Sequence, residues 1–163
     1  MKKCRFVLLL SLGLACAAHG QEPFSYSIEM ESKSGGTNYV SATIGNTVTT
    51  SFLLDTGSGM LVVNQKTFSQ LKKANAVTYS HDAAARLANG KLQKVKMYSI
   101  STLRIGDDCE INDLEVAVMK KGNNILGMSA LSKAAPFAVS VNPPTLMLSQ
   151  CSQALTASIN QSQ

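Results

Sequence analysis

Along most of the chain, apolar residues alternate with polar ones or form short runs bounded by turn residues. Both patterns are typical of β-strands. The predicted strands cover residues 24–30, 39–44, 48–54, 60–63, 83–87, 92–100, 101–105, 111–119 and 145–148. One segment differs: after Asn64, a favourable N-cap, Phe68 and Leu71 lie three residues apart, which predicts a short helix over residues 65–74. A helical turn or two is also expected within residues 127–133.

Turn residues join consecutive predicted strands into hairpins, which favours antiparallel pairing. The turns are Gly45-Asn46, Asn89-Gly90 and Gly106-Asp107-Asp108. No internal repeat at the period of a solenoid or propeller is present. The chain is therefore predicted to be an all-β domain with one or two short helices.

The first 20 residues follow a different pattern. Three basic residues precede a mostly apolar run over residues 6–18, and small residues follow. This is the arrangement of a secretory signal peptide, and the run is too short for a comfortable membrane span. Cleavage after Gly20 is favoured, with cleavage after Ala17 as the alternative. We therefore predict that residues 1–20 are a signal peptide and that the mature protein is exported, periplasmic or secreted, with no stable membrane span.

The length and composition of the chain indicate one folded domain. The 163 residues suffice for one domain, and 45% hydrophobic against 15% charged residues argues against disorder. Without residues 1–20 the chain keeps 12 basic and 10 acidic residues, a net charge of about +2. Nucleic acid is not an expected partner, because binding it requires a concentrated basic patch. We predict a domain over residues 21–148 and a flexible polar tail over residues 149–163, which is rich in Ser and Gln.

Cysteine and histidine are scarce in the mature chain. Cys109 and Cys151 remain after signal removal, and an oxidising compartment permits a disulfide between them. Two free thiols, or thiols paired between molecules, are the open alternatives. His81 is the one histidine expected to survive processing, so a histidine-based triad or metal site has little support. No metal and no cofactor are expected.

The segment with the clearest candidate for a catalytic residue begins at residue 52. Three apolar residues, 52–54, run directly into Asp55, and Thr56, Gly57 and Ser58 follow. A carboxylate at the end of a buried strand is costly unless it has partners. Either hydrogen bonds from the turn hold it, or it serves chemistry. An ordinary turn that ends a strand is the structural alternative.

Three motifs occur in a characteristic order. They are Asp55-Thr56-Gly57-Ser58, then Ala88-Asn89-Gly90 in a hairpin, then Ile125-Leu126-Gly127-Met128-Ser129. This order resembles the retropepsin-like (retroviral-type) aspartic proteases, and more narrowly their bacterial exported branch, over about residues 38–148. The resemblance implies a closed, all-β, retropepsin-like acid-protease half-barrel.

The resemblance also implies roles for residues. Asp55 would be catalytic, while Thr56, Gly57 and Ser58 would support the active-site loop. Thr56 would bond across a dimer, Gly57 would let the substrate backbone approach, and Ser58 stands where many relatives carry Ala or Thr. The implied substrate-binding flap consists of Leu87, Ala88, Asn89 and Gly90, for which a plain surface hairpin is the alternative. The implied structural loop beside the Asp55 strand consists of Ile125, Leu126 and Gly127.

The chain contains a single Asp-Thr-Gly and is too short for the two-lobed, single-chain form. In such a family each protomer contributes one aspartate, so a homodimer is needed, and the substrate is a polypeptide. The expected function is an exported aspartic endopeptidase in which two copies of Asp55 activate a water. The alternative is a non-catalytic peptide-binding or scaffolding module with the same fold. The sequence leaves the natural substrate, the pH optimum and the role of the tail in dimerisation open.

Overall fold

The computed structural model describes residues 24–153. The predicted signal peptide and residues 154–163 of the predicted tail lie outside that range. The strands are β1 (Tyr26–Glu29), β2 (Glu31–Lys33), β3 (Thr37–Ile44), β4 (Val48–Leu54), β5 (Leu61–Asn64), β6 (Thr78–Arg86), β7 (Leu92–Ile105), β8 (Cys109–Met119), β9 (Asn124–Leu126), β10 (Phe137–Val141), β11 (Pro144–Leu148) and β12 (Ser152–Gln153). The helices are α1 (Gln65–Lys73), α2 (Met128–Leu131) and a 3₁₀ helix (Ser132–Ala134).

The larger sheet closes on itself. Its strand order is β12-β8-β5-β9-β4-β3-β7-β6, and β8 also pairs with β7, so the path from β8 to β7 forms a ring. The shortest member of that ring, β9, lies between β4 and β5, parallel to one and antiparallel to the other. This arrangement confirms the predicted class, a closed all-β half-barrel with short helices.

The main core fills the interior of this ring. Its largest fully buried side chains include Ile44, Phe52, Leu61, Leu71 and Leu103. Leu71 comes from α1, so the apolar side of the helix packs against this core. The predicted N-cap is confirmed, because the Asn64 side chain accepts a hydrogen bond from the Thr67 N–H at 3.0 Å. Among residues 24–153, no helix is long and apolar enough to cross a membrane.

The longest strand, β7, joins two segments that the sequence pattern predicts as separate strands. Residues 92–100 and 101–105 form one strand of 14 residues, because no turn residue interrupts the chain between them. One half of β7 pairs with β6, and its last residues pair with β3. β7 therefore belongs both to the ring and to the hairpin that projects from it.

A second, smaller sheet has the order β1-β11-β10. The sequence pattern predicts β1 and β11 but misses β10, since Pro136 and the Pro143-Pro144 pair suggest interruption on both sides. Pro136 instead precedes the strand, and Asn142 and Pro143 form the turn that returns it to β11. Proline at these positions costs no ladder hydrogen bond.

A disulfide anchors the segment that follows β11. Cys109 and Cys151 are bonded, with their Cα atoms 5.0 Å apart. Ser152 and Gln153 then pair with the start of β8, and the Ser149 and Gln150 N–H groups donate to the Ala134 carbonyl. Residues 149–153 of the predicted flexible tail are thus held against the 3₁₀ helix and the larger sheet.

Replacing both cysteines with alanine is expected to lower the free energy of unfolding by about 4 kcal/mol. The bond closes a loop with a sequence separation of 42 residues, and cutting such a loop restores entropy to the unfolded chain. Urea titration measures the loss. A reducing agent should lower the urea midpoint of the unmodified protein to that of the double variant. It should not change the midpoint of the double variant. A loss below about 1 kcal/mol would contradict the entropic account.

Candidate active site

Asp55 stands at the end of β4 on a loop whose backbone is fixed. Its N–H donates to the Leu126 carbonyl at 3.2 Å, and its carbonyl accepts from the Ser58 N–H at 3.1 Å. One carboxylate oxygen, Oδ1, accepts from the Gly57 N–H at 2.9 Å. The other oxygen, Oδ2, has no hydrogen-bond partner within residues 24–153. The half-buried carboxylate is oriented by one bond and keeps one oxygen free.

The loop from Asp55 to Met60 crosses the end of β9 and is bound to the start of α2. The Met128 N–H donates to the Ser58 carbonyl at 2.8 Å, and the Ser129 N–H donates to the Gly59 carbonyl at 3.2 Å. The Ser129 hydroxyl in turn accepts from the Leu61 N–H at 2.8 Å. Two consecutive residues of α2 therefore hold both the middle and the exit of the loop.

Gly127 is the point of closest approach. A Cβ atom at this position would lie 2.7 Å from the Ser58 carbonyl oxygen and closer still to the Met60 carbonyl oxygen. Its backbone is extended, with φ −103°, so space rather than conformation requires glycine here. The predicted structural loop consists of the last two residues of β9, Ile125 and Leu126, and of Gly127, which contacts the Asp55 loop; its role stays a prediction.

The three residues after Asp55 have different surroundings. Thr56 is exposed, and its hydroxyl has no partner among the described residues. A Cβ on Gly57 would lie 3.2 Å from Asp55 Oδ1, so a side chain there would crowd the carboxylate. The Ser58 hydroxyl donates to the Met60 carbonyl at 3.0 Å and thus tightens the loop.

The predicted flap forms the tip of the β6–β7 hairpin. The Leu87 N–H donates to the Lys91 carbonyl, and the Gly90 N–H donates to the Leu87 carbonyl, each at 2.8 Å. Gly90 has φ +81°, a conformation that favours glycine. Ala88 and Asn89 are exposed, and the Asn89 side chain accepts from the Lys91 N–H at 3.1 Å. The tip is a tight turn at the end of a two-stranded arm.

A second apolar cluster connects this arm to the loop. Its buried members are Val62, Val95, Met97 and Ala117, with Met60, Ala83, Ala85, Met119 and Ile125 packed against them. Met60 ends the Asp55 loop and Ile125 lies beside it in β9, while Ala83, Ala85, Val95 and Met97 come from the arm. The arm and the end of the loop therefore pack against one small apolar cluster that also includes residues of β5, β8 and β9.

One ion pair links the two strands of the arm. Lys94 Nζ lies 2.9 Å from Asp82 Oδ2, and this hydrogen bond lowers the pKa of Asp82 and raises the pKa of Lys94. Because the pKa of Asp82 is lower than in the unfolded chain, the stabilisation exists at neutral pH and is lost as pH falls through the lowered value. Both groups are at the surface, so the contribution is small.

Sequence reasoning missed Asn124, one of two buried polar side chains in the described part of the chain. Its Oδ1 accepts from the Asn64 N–H at 2.9 Å, and its Nδ2 donates to the Ser51 carbonyl and the Thr50 hydroxyl, each at 3.1 Å. Since Ser51 precedes the Asp55 loop and Asn64 follows it, Asn124 fixes the separation of the two strands that carry the loop. An asparagine directly before an apolar Ile-Leu-Gly segment was the available signal.

Histidine takes part in a small surface cluster. His81 Nδ1 lies 3.3 Å from Glu115 Oε1, and the Ser80 hydroxyl donates to the same oxygen at 2.6 Å. Within the described ranges, no three acidic, histidine or cysteine side chains converge as metal ligands would.

The comparisons with known proteins agree with this geometry. The family model described as "aspartyl protease" matches residues 40–130, more than half of the chain. The chain belongs to the aspartyl protease family. The matched range contains the Asp55 loop, the β6–β7 arm and the β9–α2 support, whereas β10 to β12 of this family member lie outside it.

A solved structure has the same fold. The retropepsin-like aspartic protease from Rickettsia conorii superposes on this aspartyl protease family member with a TM-score of 0.58 and 19% sequence identity. The match covers 76% of this chain and 91% of that one. No curated protein matches the chain. Family and fold thus support the expectation of a retropepsin-like protease.

Proposed function

We propose that the mature protein is an exported aspartic endopeptidase whose active site forms when two copies bring their Asp55 carboxylates together. The observation that carries the proposal is the state of Asp55. A rigid loop holds the carboxylate, one oxygen is oriented by the Gly57 N–H, and the other is free. Closing the turn uses only Oδ1, so Oδ2 remains available for chemistry.

Pairing two such groups gives the chemistry. Two carboxylates about 3 Å apart cannot both be ionised, so the pair holds one proton. The ionised member takes a proton from a water, which attacks the peptide carbonyl, while the protonated member donates a hydrogen bond to that carbonyl oxygen. A proton then passes to the leaving amine as the carbon–nitrogen bond breaks. Neither a metal nor a covalent enzyme intermediate is needed.

The surroundings suit an extended polypeptide. Met60 and Ile125 are half-buried apolar residues at the loop, and they pack against the same cluster as the β6–β7 arm. Closure of the arm tip over a bound peptide would exclude water from the reaction. The exposed Thr56 hydroxyl is free within the protomer and available for a hydrogen bond to the other copy.

Export is consistent with the disulfide between Cys109 and Cys151, since such bonds persist in oxidising compartments. The periplasm or the extracellular medium would be the site of action. The alternative, a non-catalytic peptide-binding module, requires no carboxylate at residue 55, and no feature of the described residues favours it over the protease.

The experiment is a digestion of unfolded polypeptide by residues 21–163, with new termini identified by mass spectrometry across acidic to neutral pH. We expect cleavage, inhibition by a peptide analogue carrying a hydroxyl at the tetrahedral carbon, and stabilisation of the protein by that analogue against heat. The matched control is the same analogue with a methylene in place of the hydroxyl-bearing carbon. Equal binding of both, with no cleavage, would favour the peptide-binding module.

A further inference from the structure

The net charge of the protein is concentrated on the β6–β7 arm. Residues 82–96 carry four basic side chains and one acidic side chain, whereas the other described residues carry eight of each sign. The net charge of +3 within residues 24–153 therefore lies entirely on a segment of 15 residues. The four basic residues of this segment are Arg86, Lys91, Lys94 and Lys96.

The arm has one apolar face and one charged face. The second apolar cluster includes four arm residues, Ala83, Ala85, Val95 and Met97, together with Met60 at the end of the Asp55 loop. Successive side chains of a strand point to opposite faces, so the intervening residues point away from this cluster. We call that side the outer face, and its residues are all exposed: Asp82, Ala84, Arg86, Leu92, Lys94 and Lys96.

The positive charge of the arm is only partly neutralised. Lys94 forms the ion pair with Asp82 at 2.9 Å. Arg86, Lys91 and Lys96 form no salt bridge with any carboxylate of the described residues. Arg86 ends β6 and Lys91 precedes β7, so two of the three unpaired cations flank the tip of the arm.

These cations lie on the element that packs against the end of the Asp55 loop. A peptide bound beneath the arm would lie about 10 Å from charges on the outer face, which is the spacing of packed sheets. The Debye length at physiological ionic strength is about 8 Å, so the charges are weakened at this distance but still felt. The paired carboxylates of the proposed site carry at least one negative charge, which repels an acidic peptide unless nearby cations offset it.

We propose that the protease prefers acidic polypeptides, because Arg86, Lys91 and Lys96 attract Asp and Glu residues near the scissile bond. This inference rests on the proposed function, since the substrate is taken to bind between the arm and the Asp55 loop. Attraction of this kind raises the association rate and lowers the dissociation constant, most strongly at low ionic strength. In the proposed dimer, two arms contribute their charge to one substrate.

Other anionic partners suit the outer face less well. Nucleic-acid surfaces commonly neutralise more phosphates than three unpaired cations can reach. Membrane association relies on a broad apolar surface next to the cations, whereas the outer face presents one large apolar side chain, Leu92, which is 66% exposed. Neither partner would account for the position of the charges beside the Asp55 loop, and a polypeptide substrate does.

The test measures peptide binding to the Asp55→Asn protein by fluorescence anisotropy, so that no peptide is cleaved. Three peptides share their length and an apolar centre, and they carry Glu, Gln or Lys on both sides of that centre. At about 20 mM ionic strength we expect the Glu peptide to bind about 10-fold more tightly than the Gln peptide, and the Lys peptide to bind most weakly. At about 0.5 M salt the three dissociation constants should agree within about two-fold.

A triple variant tests whether the arm causes the preference. Arg86→Gln, Lys91→Gln and Lys96→Gln together should bring the Glu and Gln peptides within about two-fold of each other at low ionic strength. Lys94 is kept, so that Asp82 retains its ion pair. The thermal unfolding midpoint should stay close to that of the parent, because all three replaced side chains are exposed.

The matched control makes the same change in charge on α1. Lys66, Lys72 and Lys73 are exposed and form no salt bridge within the described part of the chain. Replacing all three with glutamine should leave the preference for the Glu peptide within about two-fold of the parent. An equal loss of preference in both triple variants would mean that the total charge, and not the arm, attracts the peptide, and it would overturn the proposal.

Other outcomes would also overturn it. Equal binding of the three peptides at low ionic strength, or binding of none, would leave the arm without the proposed role. Vesicles containing phosphatidylglycerol and a single-stranded oligonucleotide serve as probes for other polyanions. Binding of either probe that the arm variant loses, without discrimination among the peptides, would assign the charges to that partner and overturn the proposal.

Digestion of the same peptides by the parent judges the proposed function separately. Equally efficient cleavage of all three peptides would support the protease and overturn the acidic preference. Arm-dependent binding of the Glu peptide by a protein that cleaves nothing would support the preference and count against the protease.

Discussion

Replacing Gly127 with alanine is expected to abolish stable folding. The added Cβ would overlap the Met60 and Ser58 carbonyl oxygens, which belong to backbone and not to flexible side-chain ends. The Ser58 carbonyl also accepts from the Met128 N–H at 2.8 Å, so a shift that relieves the overlap breaks this bond. We expect a cost of at least about 5 kcal/mol, comparable to the whole stability of a small domain. Soluble yield and thermal unfolding measure it.

The same loop supplies a matched control, Gly59→Ala. A Cβ on Gly59 has no atom within 4 Å, and its backbone does not lie in the left-handed region. This variant should unfold within about 1 kcal/mol of the parent. Equal unfolding midpoints for Gly127→Ala and Gly59→Ala would contradict this prediction. They would mean that the close approach of Gly127 to the Asp55 loop does not determine the stability of the site.

The loop could be predicted from the sequence because its information is local. An apolar strand, a carboxylate, and a Thr-Gly-Ser turn specify a strand end with an oriented side chain, whatever the rest of the chain does. The same holds for the Asn89-Gly90 turn, where one left-handed residue closes the hairpin. The glycine in Ile125-Leu126-Gly127 signalled close packing without identifying Met60 as the partner.

Two features escaped prediction, Asn124 and β10, for different reasons. In the sequence, Asn124 is a polar residue before a short apolar run and has no distinguishing pattern. Its role arises only because β9 lies between β4 and β5. The strand β10 is hidden by flanking prolines that the fold places where no ladder bond is needed. Periodicity describes one strand at a time, whereas Asn124 owes its role to neighbours more than 40 residues away, Asn64 and Ser51.

Replacing Asp55 with asparagine is expected to remove activity and keep the fold. Asp55→Asn should lose activity by at least about 10³-fold, since asparagine cannot act as a general base. The fold should persist, because the Asn side-chain oxygen can still accept from the Gly57 N–H. Thermal unfolding of the variant checks this point, and a matching midpoint is expected.

An equal mixture of the parent and Asp55→Asn then distinguishes a shared site from an independent one. After subunit exchange, about one quarter of the dimers carry two aspartates, and dimers with one aspartate lack the shared proton that the reaction needs. At the same total protein concentration, the rate of the mixture should be about one quarter of the rate of the pure parent. The rate should depend on the square of the parent fraction. A linear dependence, with about one half of the rate remaining in the equal mixture, would mean that each protomer works alone and that the second carboxylate has no part in catalysis.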